Sequence, residues 1–202
     1  MKCASILGTS GTALNELNTP YGIALDESTG TFYVSEYSGH RIMQYASGAS
    51  SGTIVAGGNG AGTGSTQLSG PFGIYLDLAK NSLVIANRGA NNIVRWILGT
   101  NTWTLLVGDS SGLNGASSTL LNGPCSVTLD SIGNMYVADT FNHRIQFFLL
   151  GETNGTTIIG TTGVAGSNAS LLDTPYALKV DQQYNLYVAD TLNHRVQNFS
   201  HY

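Results

Sequence analysis

The sequence predicts an all-β chain, a β-propeller of four blades with four antiparallel strands each. Three observations carry that expectation. The stretch Tyr136-Val-Ala-Asp-Thr-Phe-Asn-His-Arg-Ile-Gln-Phe (136–147) returns almost letter for letter at 187–198, with a looser copy from Tyr33 and a degenerate one from Val84. Each copy is anchored on a Pro and a following Asp (Pro20/Asp26, Pro71/Asp77, Pro124/Asp130, Pro175/Asp181), so the copies are offset by 51, 53 and 51 residues. Repetition at such a period marks a repeat architecture before local propensity is considered. Finally, with 26 Gly, 4 Pro and frequent Ser and Thr between short apolar runs, the chain reads as short strands joined by turns.

The elements follow in the same order in every copy. Each opens with Leu-x-x-Pro, at Leu17, Leu68, Leu121 and Leu172. The Pro suits the residue just before a strand enters a sheet, because it fixes φ and donates no hydrogen bond. The first strand covers 22–26, 73–77, 126–130 and 177–181, where small residues alternate with Ile, Leu, Val or Tyr at period two. A turn carrying Gly30, Asn81, Gly133 or Asn185 follows, each a residue that tolerates positive φ. The second strand is the Tyr-Val-Ala-Asp run. A short polar loop leads to the third, His-Arg-Ile-Gln, and the fourth is an apolar pair or triplet before Gly at 53–57, 104–108 and 157–160. No segment sustains a 3.6-residue period, so no helix is expected.

Pro-x-Gly-Ile-x-x-Asp followed by Tyr-Val-Ala-Asp-x-x-Asn-His-Arg-Ile-Gln resembles the NHL-repeat family, whose signature tripeptide stands at Asn142-His143-Arg144 and Asn193-His194-Arg195. The resemblance covers essentially the whole chain, closely in copies three and four, loosely in copy one, and mainly by spacing in copy two. It implies a propeller. The chain is expected to form a single domain over 1–202, with repeats at about 17–58, 68–108, 121–160 and 172–202 plus 4–8. Residues 4–8 match the fourth-strand pattern, so the N-terminal strand is expected to complete the C-terminal blade and close a monomeric ring. Closure of that kind removes exposed sheet edges. Because the resemblance implies six blades more often than four, a partial ring is the rival reading: a structural segment of a larger propeller protein, or a ring completed by a second chain.

Composition narrows the function classes. Only 10% of residues are charged, the net charge is −4 and no Lys or Arg cluster occurs, so the footprint of a nucleic-acid binder is missing. Nothing approaches 18 consecutive apolar residues, and the N-terminal apolar run is too short for a signal peptide. Cys3 and Cys125 form neither a disulfide framework nor a metal-ligand spacing. Sequons at Asn154, Asn168 and Asn198 give only a slight lean toward an extracellular location.

The residues that recur divide into scaffold and site candidates. Glu36/Arg41, Asp139/Arg144 and Asp190/Arg195 are each five apart, and the second copy exchanges both members for Asn87 and Asn92. Losing acid and base together points to side chains that meet and pin the loop, a structural clasp. Asp26, Asp77, Asp130 and Asp181 suit capping of the turns that follow them; a structural cation in the central channel is the alternative, and no other cofactor is expected. His40, His143 and His194, with Asn91 in the fourth place, could form a metal site, but equivalent positions on different blades favour hydrogen bonds from blade to blade. No Gly-x-Ser-x-Gly, no His-Glu-x-x-His and no phosphate-cradling loop occurs, so no catalytic residue is assigned.

Site candidates lie instead where the copies differ. Tyr21, Phe72, Cys125 and Tyr176 follow the repeated Pro and should stand at the channel mouth, where aromatics serve as ligand platforms or as plugs. Arg88 and Asn91 of the degenerate copy join them on that face. The expected function is a non-catalytic binding or interaction module for a protein, peptide or small molecule, with neither nucleic acid nor membrane as partner. A metal-assisted lyase or hydrolase with its site in the axial channel is the alternative.

Overall fold

The computed structural model describes residues 9–200. The first sheet comprises β1 (Pro20–Asp26), β2 (Thr31–Glu36), β3 (Arg41–Tyr45) and β4 (Thr53–Gly57), and the second β5 (Pro71–Asp77), β6 (Ser82–Asn87), β7 (Asn92–Ile97) and β8 (Trp103–Gly108). The third holds β9 (Ser126–Leu129), β10 (Met135–Asp139), β11 (Arg144–Phe148) and β12 (Thr156–Gly160). In the fourth are β13 (Pro175–Val180), β14 (Leu186–Asp190) and β15 (Arg195–Phe199), three strands among the described residues. The strand expected at 4–8 to complete this sheet lies outside the described residues. Neighbouring strands are antiparallel throughout, and each sheet is a simple meander. Together they form the four blades of a β-propeller, with β1, β5, β9 and β13 innermost.

Alternation along each strand sends one set of side chains to the preceding blade and the other to the next. Three cores result. Tyr33, Ile42 and Ala56 of the first blade meet Leu83, Ile85, Val94 and Trp96 of the second. Val84, Ile93 and Val107 meet Val127, Leu129, Met135 and Phe148, and Tyr136, Ile145 and Ile159 meet Leu178, Leu186 and Val188. Burying one such aliphatic side chain stabilises by about 1.5–3 kcal/mol. Leu68, Leu121 and Leu172 of the repeated Leu-x-x-Pro are fully buried in these same cores.

Innermost strands approach closely. A Cβ on Gly22 would lie 2.3 Å from Phe72 O, and one on Gly73 2.6 Å from Cys125 O, so only glycine fits between these blades. Two local features differ from the sequence reading. Pro20, Pro71 and Pro175 are the first residues of their strands and are followed by a register shift, which lets a residue without an N–H open the ladder. The loops after β6, β10 and β14 each wind through one 3-10 turn (Arg88–Ala90, Thr140–Asn142, Thr191–Asn193), and Leu78–Lys80 forms a fourth, too short for any periodicity to reveal.

Candidate functional site

The second and third strands of each blade end in a directly opposed pair: Glu36↔Arg41, Asn87↔Asn92, Asp139↔Arg144 and Asp190↔Arg195. Arg Nε to carboxylate distances are 3.0 Å at Glu36 and 2.8 Å at both Asp139 and Asp190, and Asn87 Nδ2 donates to Asn92 Oδ1 at 3.1 Å. Each acid, or Asn87, also accepts a backbone amide from its own blade's lead-in loop, from Asn18, Ser69, Asn122 or Asp173. Arg144 reaches the same loop, donating to Ala116 O, Ser117 O and Leu120 O, as Arg195 does to Ser167 O, Asn168 O and Leu171 O. The pair therefore fastens the Gly/Ser-rich connection to the blade that follows it. Burial pushes the Glu36 and Asp139 carboxyls up, although the facing Arg and the loop amides pull them back. At Asp190 burial also pushes up, but the Asp173 amide, Asn193 and Arg195 outweigh it and the carboxyl sits below its ordinary value.

These loops fold alike. Gly11, Gly62, Gly115 and Gly166 each donate N–H to the carbonyl six residues on, at Leu17, Leu68, Leu121 and Leu172. A Cβ at any of the four would strike the side chain of Glu16, Gln67, Leu120 or Leu171. The sequence carried this signal as a Gly six residues before each Leu-x-x-Pro leucine.

The next position in the motif ties blade to blade. His40 Nδ1 accepts from Gly70 N at 3.0 Å, Asn91 Oδ1 from Gly123 N at 2.9 Å, and His143 Nδ1 from Thr174 N at 3.2 Å. His40, Asn91, His143 and His194 themselves sit at φ between 51° and 54°, where Asn and His are tolerated better than most residues. Asn91 also donates to Gly112 O, so both ends of its amide are engaged. No group of three His, Cys, Asp or Glu side chains among the described residues is placed to hold a metal. Asp26 accepts from Ser28 and Thr29, Asp77 from Lys80 N and Arg95, Asp130 from Ile132, Gly133 and Asn134, and Asp181 from Gln183 and Asn185. These acids face their own turns.

What remains lies on the axis. The four innermost strands line an open cavity of about 520 Å³, with Tyr21, Phe72, Cys125 and Tyr176 near one end. Tyr21 and Phe72 stack with ring centroids 4.0 Å apart, and Phe72 and Tyr176 face each other across the channel at 5.8 Å. Cys125 is buried, its Sγ 3.5 Å from Gly123 O, and burial pushes its thiol up; it contributes wall and no exposed surface. Arg88 stands beside this row. Its guanidinium carbon lies 5.5 Å from the Tyr37 ring centre, 5.6 Å from Phe72 and 5.1 Å from Phe141. One terminal nitrogen donates to the Tyr37 hydroxyl at 3.3 Å, while Nε is buried with no partner among the described residues. Tyr37 and Phe141, which complete this cage, escaped the sequence reading because they sit in the loops joining second and third strands, at positions where the copies differ.

Comparison with known proteins agrees on the fold. No family model matches the chain. Over 201 residues it is 25% identical to the chloroplastic protein SUPPRESSOR OF QUENCHING 1 of Arabidopsis thaliana, covering 88% of this chain and 19% of that one. Among solved structures it superposes on a structural genomics protein from Bacteroides thetaiotaomicron with TM-score 0.74 at 15% identity, covering 91% of this chain and 47% of the other. An auxiliary nutrient binding protein from the same organism gives 0.67 at 17% identity, over 88% and 46%. A gluconolactonase from Xanthomonas campestris gives 0.69 at 16% identity, over 95% and 64%. The chain thus spans a fifth of its curated relative and between about half and two thirds of these solved propellers.

Proposed function

We propose that the chain is an NHL-type propeller acting as a non-catalytic binding module, with its ligand seated at the channel mouth. The observation that carries this reading is Arg88, a cation held among three aromatic rings beside the Tyr21–Phe72–Tyr176 row, with a buried Nε that has no hydrogen-bond partner among the described residues. An unpaired buried donor is costly to leave, and an anionic ligand is the group that would satisfy it. A cavity of about 520 Å³, with aromatic rings near one end and Glu27, Ser126, Thr128 and Lys179 also in its lining, fits a small molecule or one side chain of a peptide. The ligand class is therefore an apolar or aromatic body carrying a carboxylate, its ring on Phe72 and Tyr176 and its charge on Arg88. The nutrient-binding neighbour supports a binding role; the gluconolactonase keeps a hydrolase as the competing one.

Calorimetric titration with benzoate and 3-phenylpropionate, against uncharged benzamide, tests the reading. The two carboxylates should bind and benzamide should not, with Arg88→Ala abolishing the difference. Equal binding of all three, or none by any, would refute it.

A further inference from the structure

Away from the channel, each joint between consecutive blades leaves an outer cleft beside the third and fourth strands, and the three clefts differ in chemistry. One position of the third strand lines all three: Gln44 in the first blade, Arg95 in the second and Phe147 in the third. The cleft between the third and fourth blades is mainly apolar, with Tyr136, Ile158 and Phe199 beside Phe147. Between the second and third, Lys80 and Glu152 join Arg95 on leucine-rich walls. The cleft between the first and second measures about 460 Å³, and no charged side chain lines it. Its polar groups are side-chain amides and hydroxyls.

Four separate segments bring those amides to one place. Gln44 lies across the ladder from Tyr33, and its Nε2 donates to the Tyr33 hydroxyl at 3.4 Å. Asn59, just past β4, donates Nδ2 to Thr66 O at 3.0 Å. Asn81 closes the Leu78–Lys80 turn, and its Nδ2 reaches Leu98 O at 3.5 Å. In all three the amide nitrogen is engaged, while the amide oxygen accepts nothing from the described residues. Asn101, on the exposed turn between β7 and β8, has no side-chain partner among them. Burial pushes the Tyr33 hydroxyl up, so it keeps a proton to donate. Trp96 forms the floor, and its Nε1 donates to Thr100 O of the same turn at 3.0 Å. Ile54, 43% exposed, supplies an apolar wall.

We propose that this cleft between the first and second blades is a further ligand site, one that takes a neutral saccharide. An ion entering it would leave water for a lining that offers no counter-charge. A wholly apolar ligand would cover amide oxygens without giving them a donor. Sugar hydroxyls donate and accept alike, so they can meet the open amide oxygens of Gln44, Asn59 and Asn81 and the Tyr33 proton together. The ring's C–H face then lies on Ile54. A peptide is a poorer match, because an extended backbone is recognised by a strand edge with alternating N–H and C=O groups. Here the polar groups are side chains from four segments. The volume falls within the range of small-molecule sites.

The full chain should be passed over immobilised neutral oligosaccharides built from glucose, mannose, galactose, xylose or N-acetylglucosamine, with heparin and polygalacturonate as acidic controls. At least one neutral saccharide should retain it, and the free sugar should compete. Titrating that sugar into protein labelled at the indole nitrogens should shift the Trp96 signal more than that of Trp103, which lies outside the lining. Gln44→Leu and Asn101→Ala should each weaken binding at least tenfold with unchanged circular dichroism. Asn101 is exposed in a turn, so its replacement tests the site without disturbing the core. Arg88→Ala should leave saccharide binding unchanged, which separates this site from the channel mouth. Retention by no neutral saccharide, retention by the acidic controls alone, a silent Trp96, or binding that both cleft variants leave intact would each overturn the proposal.

Discussion

The charge exchange in the second blade makes a quantitative test of how the repeated pairs work. Asp139 is fully buried and accepts from Asn122 N at 2.7 Å, Asn142 Nδ2 at 2.8 Å and Arg144 Nε at 2.8 Å. Arg144, also buried, has no other carboxylate in reach among the described residues and spends its remaining donors on carbonyls and hydroxyls. Asp139→Asn preserves shape but leaves a buried guanidinium without its counter-charge, a loss of about 3–5 kcal/mol. Adding Arg144→Asn to it removes that charge and recreates the Asn87–Asn92 arrangement, in which the amides bond at 3.1 Å and Asn92 turns to Asp109 O. The double variant forfeits the guanidinium's bonds to the lead-in loop, where Ala116 and Ser117 are exposed residues that water can reach once the guanidinium is gone, so its cost should be about 1–3 kcal/mol. Urea denaturation with an unchanged slope is the assay. The double variant should be more stable than Asp139→Asn alone, with a coupling of a few kcal/mol. Additive losses would show that the two side chains do not depend on each other, and the clasp would have to be abandoned.

Other outcomes follow from the same geometry. His143→Asn should cost less than about 1 kcal/mol, because Asn91 makes the same blade-to-blade bond, whereas His143→Ala leaves Thr174 N unsatisfied and should cost about 1–3 kcal/mol by denaturant titration. Gly73→Ala should destabilise by at least about 1–3 kcal/mol, since its Cβ would lie 2.6 Å from Cys125 O; a neutral result would mean that the blades are not so closely apposed. For pH, Asp190 lies below its ordinary value of 3.8, so the unfolded chain takes up the proton first. Its contribution is present above that value and lost as the pH falls below it. Asp26, Asp109 and Asp181 share this sign through side-chain hydrogen bonds from Ser28, Ser111 and Asn185. Glu36 and Asp139, raised by burial, have the opposite sign, losing stability as the pH rises through their raised values. Asp190→Asn should therefore make the acid-side loss of stability shallower in urea midpoints followed from about pH 5 downward.

The fold was legible because the repeat writes the same alternation and the same Pro and Asp four times, and one strand, Arg195–Phe199, falls where the third-strand pattern placed it. Pairing of acid with Arg was legible for a different reason: the second copy changes both at once. Tyr37 and Phe141 gave no signal, since each occurs in a single copy and reads as loop filling, and only coordinates show them facing Arg88. Exposure at the ends was equally hidden. Val196 and Ile145 occupy the same motif position and are interchangeable on the page, yet one is 72% exposed and the other 0%, because burial depends on which blade comes next.

The most direct test of the central claim, that the repeated motif is architecture and the ligand seat is the mouth beside Arg88, is a residue-resolved titration. Benzoate would be added to protein labelled at Arg side-chain nitrogen and aromatic carbon and followed by NMR. Saturable shifts should appear at Arg88 Nε, Phe72 and Tyr176, with Arg144 and Arg195 unmoved. Shifts centred on the Asp139–Arg144 or Asp190–Arg195 pairs, with Arg88 silent, would contradict it.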